Sequence, residues 1–194
     1  MLISVILHPV FVNLLSLVAL INLLPYLKAG LSEDAKWFYV LYVFITTSLI
    51  PLMAVVGMKL FGKADSVMLE NKEERRFPYI LTASLYLFGY YLFQRINAPH
   101  IIQAYMLSNA SILVAVLIIN HFSKISIHAT SLGALTGLLI SIAPYMLADA
   151  RVFISLALVI TGLTATARLF LDAHKPVQLY SGFALGVLLM MILL

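Results

Sequence analysis

The sequence contains no cysteine and very little charge. Of its 194 residues, none is cysteine and only 10% are charged. The absence of cysteine excludes disulfide bonds, thiolate metal sites and a cysteine nucleophile. Soluble domains are about 25% charged. The scarcity of charge here, combined with 63% hydrophobic residues, excludes both a soluble globular protein and a disordered chain.

The sequence also lacks the short alternating segments that build transmembrane β-strands. It has instead seven long apolar segments, close to the roughly 20 residues that a membrane-spanning helix needs. They cover residues 2–26, 37–60, 78–94, 100–121, 126–148, 152–171 and 176–194. We therefore predict an all-α protein, a polytopic transmembrane helical bundle of about six to seven spanning helices. It forms a single integral membrane domain over residues 1–194.

The net charge of +4 does not indicate a nucleic-acid partner, because the basic residues lie in short loops and form no stripe on a soluble face. Seven crossings place the loops after the second, fourth and sixth segments on one side of the membrane. The positive-inside rule would make that side cytoplasmic. Without the four cations that we assign below to a binding site, both sides carry equal numbers of cations, so the orientation stays open.

Ionisable residues on this side cluster beside helix starts in three places. The polar residues concerned are Lys72, Arg75, Arg76, Ser126, His128, Arg168, Asp172, His174 and Gln178. Helix starts offer free backbone N–H groups to phosphate, and arginine adds bidentate contacts. Two histidines can act as nucleophile and general acid near neutral pH. The pattern favours a phosphoryl site that needs no metal or other cofactor, although loop cations beside a bilayer can also simply contact lipid headgroups.

The second and third places have the clearest local geometry. Ser126 is a predicted N-cap of the fifth segment, which puts His128 in the first helical turn. His174 directly precedes the segment that begins at Pro176, where the helix dipole is positive. Arg168 lies one turn before the preceding loop. Both histidines are therefore predicted to lie at helix N-termini.

These places resemble, in order, the signature motifs of the type 2 phosphatidic acid phosphatase superfamily, which includes the vanadium haloperoxidases. The motifs are K-x6-R-P, P-S-G-H and S-R-x5-H-x3-D. Arg168 and His174 match the spacing of the third motif, and Ser126 and His128 keep the serine and histidine of the second. The resemblance covers about residues 72–178 and implies a phosphatase-like core of about 72–194.

The first motif is matched more loosely. Lys72, then Arg75 or Arg76, then Pro78 follow its order with compressed spacing. The resemblance implies that these residues, together with Ser126 and Arg168, hold the phosphate oxygens. It also implies that His174 is the nucleophile that forms a phosphohistidine, and that His128 is the general acid for the leaving alcohol.

The chain departs from the family pattern at the residue that orients the nucleophile. Gln178 stands where the family has aspartate. Glutamine can orient an imidazole ring but supplies no negative charge to it. Asp172 is the alternative orienting residue, two positions before His174. In the second motif, Ile127 replaces the family's glycine.

Small residues predict how two of the helices pack. Gly133 and Gly137 lie four apart in the fifth segment, and Gly182 and Gly186 lie four apart in the seventh. Such pairs let membrane helices approach closely. We predict that these two helices contact each other and bring the two histidines together.

Three functions follow from this sequence. The first is metal-free hydrolysis of a phosphate ester or diphosphate on a membrane lipid, such as phosphatidate, phosphatidylglycerol phosphate, a polyprenyl diphosphate or a lipid A phosphate. The second is a lipid-phosphate-binding relative that has lost activity through Gln178. The third, least favoured because the helix centres carry little charge and show no repeat, is a small transporter. We expect the protein to lie in a bacterial inner (plasma) membrane, and the oligomeric state stays open.

Overall fold

The structure, a computed structural model, describes residues 9–66, 69, 73–171 and 173–194. Two predicted site residues, Lys72 and Asp172, lie outside this part, as do the first seven residues of the first predicted segment. The described residues form eight helices and no strand. The prediction of an all-α helical bundle is confirmed.

The eight helices are numbered here in chain order. They are α1 (Pro9–Leu23), α2 (Pro25–Gly30), α3 (Glu33–Leu60), α4 (Arg76–Arg95), α5 (His100–Phe122), α6 (Ile127–Ile142, prolonged by a 3-10 turn over Ala143–Tyr145), α7 (Ala150–Phe170) and α8 (Pro176–Leu193). Five of them, α3, α5, α6, α7 and α8, are long and apolar enough to cross a membrane. The protein is therefore an integral membrane protein. α4 has 20 residues but does not belong to these five.

Proline and capping residues explain where the predicted boundaries were wrong. α1 ends at Leu23 rather than at residue 26, because Leu24 is extended ahead of Pro25. α3 begins at Glu33 rather than at residue 37, because the Ser32 hydroxyl accepts the Ala35 N–H at 3.2 Å and caps the helix. The regular α-helical part of α6 stops at Ile142, just before Pro144, and not at residue 148.

The middle of α3 is a π-helix over Phe44–Leu49, followed one residue later by Pro51. Proline removes an N–H from the helical ladder and crowds the carbonyl of the preceding turn, and the wider π turn accommodates both effects. The π turn leaves Thr46, Thr47 and Ser48 all buried in the bundle. Polar side chains are thereby brought to the inner face of a membrane helix.

The glycine pairs of α6 and α8 face each other, as predicted. A Cβ atom added at Gly186 would collide with the backbone of Thr130, and one added at Gly137 would lie 2.6 Å from the Val187 carbonyl oxygen. Only glycine permits this approach of two backbones. α6 also packs on α7 and α1, and α4 packs on α5. α6 is accordingly the central helix, and its N-terminus is fixed beside that of α8.

Candidate functional site

Two loops and six helices meet at one cavity of about 180 Å³. Four residues predicted for the phosphoryl site line it: Arg75, His128, Arg168 and His174. They come from the loop before α4, the start of α6, the end of α7 and the loop before α8. The structure therefore brings together the three predicted clusters of polar residues, which are far apart in sequence. It puts the loops before α4, α6 and α8 at the same end of the bundle.

A backbone hydrogen bond joins the N-cap of α6 to the first turn of α8. The N–H of Ser126 donates to the carbonyl oxygen of Gln178 at 3.2 Å. The Ser126 hydroxyl accepts the Ala129 N–H at 3.4 Å, so the predicted N-cap is confirmed. Ser126 is fully buried but does not line the cavity. Its observed role is to fix the start of α6 against α8.

His174 is oriented by Gln178. The Nδ1 atom of His174 lies 3.1 Å from Gln178 Oε1, and this oxygen also accepts the backbone N–H of Lys175 at 3.1 Å. Because Oε1 accepts the Lys175 N–H, the amide oxygen rather than its nitrogen faces the ring, and Nδ1 must carry the proton. The unprotonated nitrogen of the neutral ring is therefore Nε2. This is the tautomer that a nucleophilic imidazole requires.

Burial and positive neighbours keep His174 neutral. Burial, followed by the charges of Arg168, Arg75 and Lys124, lowers the pKa of His174 to about 4, and the Gln178 hydrogen bond opposes this only in part. The ring is 7% exposed. At neutral pH the Nε2 lone pair is thus available, in a place where an anion is attracted by cations.

The structure distinguishes the two adjacent arginines that were predicted to hold the phosphate oxygens. Arg75 is buried and lines the cavity, and its Nε donates to the Leu69 carbonyl at 2.6 Å. Arg76 does not line the cavity. Its Nε pairs with Glu73 Oε2 at 2.9 Å on the surface.

Arg168 reaches the cavity from the last turn of α7. Its Nε is buried, and no atom of the described residues accepts a hydrogen bond from it. Buried donors are normally satisfied, and an arginine donor left over at a cavity is the partner that a phosphate or carboxylate oxygen would meet. Arg75 and Arg168 together can hold an anion beside His174.

His128 occupies the first turn of α6, as predicted, and is 7% exposed. It lines the same cavity as His174. Among the described residues, no group of three or more His, Cys, Asp or Glu side chains could hold a metal ion. The basic side chains that line the cavity are two histidines and two arginines.

The cavity also uses residues that sequence reasoning missed. Tyr79, Thr82 and Tyr86 of α4 line it. Their spacing of three and four residues places them on one helical face, and this was the signal that could have found them. Asn13 of α1 and Thr47 of α3 line it too. The cavity therefore involves more of the chain than the predicted phosphatase-like core of 72–194, because α1 and α3, which lie outside that core, help to close it.

Comparison of the chain with protein-family models, with curated proteins and with solved structures found no match.

Proposed function

We propose that this protein hydrolyses a phosphate ester on a membrane lipid through a phosphohistidine at His174, with no metal ion. One observation carries the proposal: two buried histidines and two arginines, from two loops and the ends of two helices, line a single cavity. That cavity is walled by membrane helices. Phosphoryl transfer needs an activated nucleophile, an acid for the leaving group and positive charge on the non-bridging oxygens.

The first half-reaction follows from these positions. His174 Nε2 attacks phosphorus, and the bond between phosphorus and the lipid oxygen breaks. His128, in its protonated form, gives its proton to the departing lipid alkoxide, which leaves as the alcohol. Arg75 and Arg168 hold the non-bridging oxygens as negative charge redistributes over them.

Water completes the second half-reaction. His128, now neutral, takes a proton from a water molecule that attacks the phosphohistidine. The P–N bond breaks, inorganic phosphate forms, and His174 regains its neutral ring. Gln178 keeps Nδ1–H in place throughout. The imidazolium charge that a carboxylate would balance in the family is balanced here by the phosphoryl group itself.

The position of the cavity favours a lipid substrate. Beyond the charged residues, its wall includes the apolar side chains of Pro51, Leu52, Val55, Ile112 and Leu113. A ligand with a phosphate at one end and hydrocarbon at the other matches this division. We place the protein in a bacterial inner membrane, because spanning proteins of the outer membrane are β-barrels.

Phosphate release from lipid phosphates in detergent micelles tests the proposal. Wild type is assayed with a chelator beside His174→Ala and beside His100→Ala, an exposed histidine outside the cavity. We expect release from wild type and His100→Ala that withstands the chelator, and none from His174→Ala. Loss of activity with the chelator, or full activity in His174→Ala, would contradict the mechanism.

A binding protein without turnover is the second candidate, and Gln178 is the observation that favours it, because it gives His174 no negative charge. In that case wild type binds lipid phosphates and releases no phosphate. Activity that appears in Gln178→Asp would establish this alternative.

A further inference from the structure

A crevice between α3 and α4, called here the α3–α4 crevice, lies apart from the cavity. It has a volume of about 460 Å³ and shares no lining residue with the cavity. Its lining residues on α3 lie on one face of the helix, beside the face that lines the cavity. Because α3 is apolar and long enough to span the membrane, the crevice opens toward the bilayer. The residues that line it are Ala54, Gly57, Met58, Phe61, Lys63 and Phe77.

Small residues keep the α3–α4 crevice open. Gly57 has no side chain, and a Cβ atom added there would meet no other part of the protein within 4 Å. Ala54 lies one turn earlier on the same face. The apolar side chains of Phe61 and Phe77 line the crevice and are exposed. In a bilayer such an apolar space is filled by hydrocarbon, because an empty space would lose van der Waals contacts.

The end of α3 places a cation in this crevice. Gly62 has a φ angle of +67°, and its N–H donates to the Lys59 carbonyl at 3.1 Å. The N–H of Lys63 donates to the Met58 carbonyl at 2.8 Å, which completes a Schellman motif. The backbone therefore fixes Lys63 directly after α3, and its side chain lines the crevice.

The positive charge at this end of α3 is open to a ligand. No described carboxylate forms an ion pair with Lys63 or with Lys59 in the last turn of α3. Two of the three described carboxylates in the following loop have other partners: Glu73 pairs with Arg76, and Glu74 accepts a backbone N–H of the loop at 3.3 Å. Lysines beside a membrane attract anionic lipids. An apolar groove with a cationic end is the complement of an anionic phospholipid.

The α3–α4 crevice and the cavity share the C-terminal half of α3. Leu52 and Val55 of this half line the cavity, together with Pro51. Within Ile50–Leu60 only Pro51 is buried, and this half packs on α4. A helix segment with so few buried residues has little packing of its own to hold it in place. A molecule that fills the crevice would therefore stabilise a wall of the cavity.

We propose that the α3–α4 crevice binds an anionic phospholipid of the surrounding bilayer. Its phosphate lies at Lys63 and Lys59, and one hydrocarbon chain lies along Gly57. The bound lipid joins α3 to α4 and holds the C-terminal half of α3, and with it the cavity wall, in position. This lipid is distinct from the substrate, and its binding does not depend on the hydrolysis proposed above.

Thermal unfolding and native mass spectrometry of the full chain test this inference. Phosphatidylglycerol and phosphatidylcholine with the same acyl chains are compared, because both are phosphodiesters and only the first has a net negative charge. We expect the wild type to retain one phosphatidylglycerol per chain in mild detergent. In nanodiscs that contain this lipid, the unfolding temperature should be about 2–4 °C higher than in phosphatidylcholine alone, because a ligand of the folded state stabilises it.

Matched variants locate the bound lipid. Lys63→Ala should weaken retention about fivefold, the effect of one lysine on an anionic lipid. Gly57→Leu should abolish retention, because the new side chain occupies the place of the hydrocarbon chain. Gly162→Leu is its control, since this glycine of α7 is equally open but lies outside the crevice. Lys28→Ala removes an exposed cation at the other end of the bundle and should have no effect.

Arg168→Ala separates the crevice from the cavity. This variant removes a cation of the cavity and should retain phosphatidylglycerol as the wild type does. Loss of the lipid in Arg168→Ala, with retention in both crevice variants, would place the lipid in the cavity and overturn the inference. Equal retention of the two phospholipids by the wild type, or no retention of either, would also overturn it. None of these measurements uses phosphate release, so a failure of the proposed hydrolysis would leave them unaffected.

Discussion

α6 and α7 follow each other in the chain and are both apolar enough to span a membrane, yet they occupy opposite environments. In α6, 72% of the spanning residues are buried in the bundle, against 11% in α7. Gly133 and Gly137 of α6 lie against the α8 backbone, whereas a Cβ atom added at Gly162 of α7 would meet no other part of the protein within 4 Å. Apolarity alone therefore places a helix in the membrane, and small residues facing a partner place it in the centre of the bundle.

The residues that line the cavity show the same difference between α6 and α7. α6 contributes His128, Thr130 and Ser131 to the cavity, all from its first two turns. α7 contributes only Arg168, from its last turn. Only the end of a lipid-facing helix can serve a site that lies inside the bundle.

The largest expected effect concerns the glycines. Gly186→Leu should prevent folding or lower the free energy of unfolding by about 3 kcal/mol or more, because the side chain would have to displace the α6 backbone. Gly162→Leu, in open space on α7, should leave stability nearly unchanged. Thermal unfolding in detergent measures both. Equal stability of the two variants would remove the structural basis of the comparison.

The proposed nucleophile, His174, gives the next effect. His174→Ala should lower kcat by about 10³-fold or more, because removing a nucleophile abolishes the covalent route. The variant should keep the wild-type unfolding temperature. Rapid-quench trapping of a ³²P-labelled phosphoenzyme checks this, since label should appear in wild type and be absent from His174→Ala. Labelling that persists in the variant would place the phosphoryl group on another residue.

The two arginines of α7 test whether only its last turn contributes. Arg168→Ala should lower kcat/KM by about 10²-fold, the usual effect of removing one donor to a developing oxyanion. Arg151→Ala, at the exposed opposite end beside Asp149, should change it little. Arg168→Lys, which keeps the charge but loses the bidentate fork, should be intermediate. Similar losses in Arg151→Ala and Arg168→Ala would mean that α7 acts through its fold and not through this contact.

The smallest effect is a shift in pH dependence. Since the pKa of His174 is lowered to about 4, its neutral form should sustain kcat/KM down to that pH and protonation should abolish activity below it. Gln178→Glu puts a negative charge at Nδ1 and should raise this pKa by about 1–3 units. The acidic limb of the profile then moves upward by the same amount. If the acidic limb does not move, a group other than His174 controls it.

Much of the site was predictable because it is encoded by neighbouring residues. Ser126 and Pro176 mark helix starts through local capping and φ restriction, so His128 and His174 were placed at N-termini from sequence alone. The choice between Arg75 and Arg76 was not predictable. Consecutive residues point about 100° apart on a helix, and which direction faces the cavity depends on how α4 packs on its neighbours.

The role of Gln178 in orienting His174 could be predicted from sequence only in part. Gln178 stands where the family that the chain resembles has aspartate, and this suggested a weaker partner for His174. The structure adds that its oxygen accepts two N–H groups, and this settles the tautomer of the ring. Asn13 and Thr47 could not have been assigned to the cavity from sequence, since both lie in segments outside the predicted core.

By itself the sequence determined that this is a helical membrane protein, where its later helices begin, and which ionisable residues lie at their ends. These properties arise from hydrophobicity and backbone capping, which act over a few residues. Only the tertiary structure decided that residues from two loops and the ends of α6 and α7 share one cavity, and that α1 and α3 help to close it. Those features depend on the close contact of α6 and α8, which brings together residues far apart in the chain.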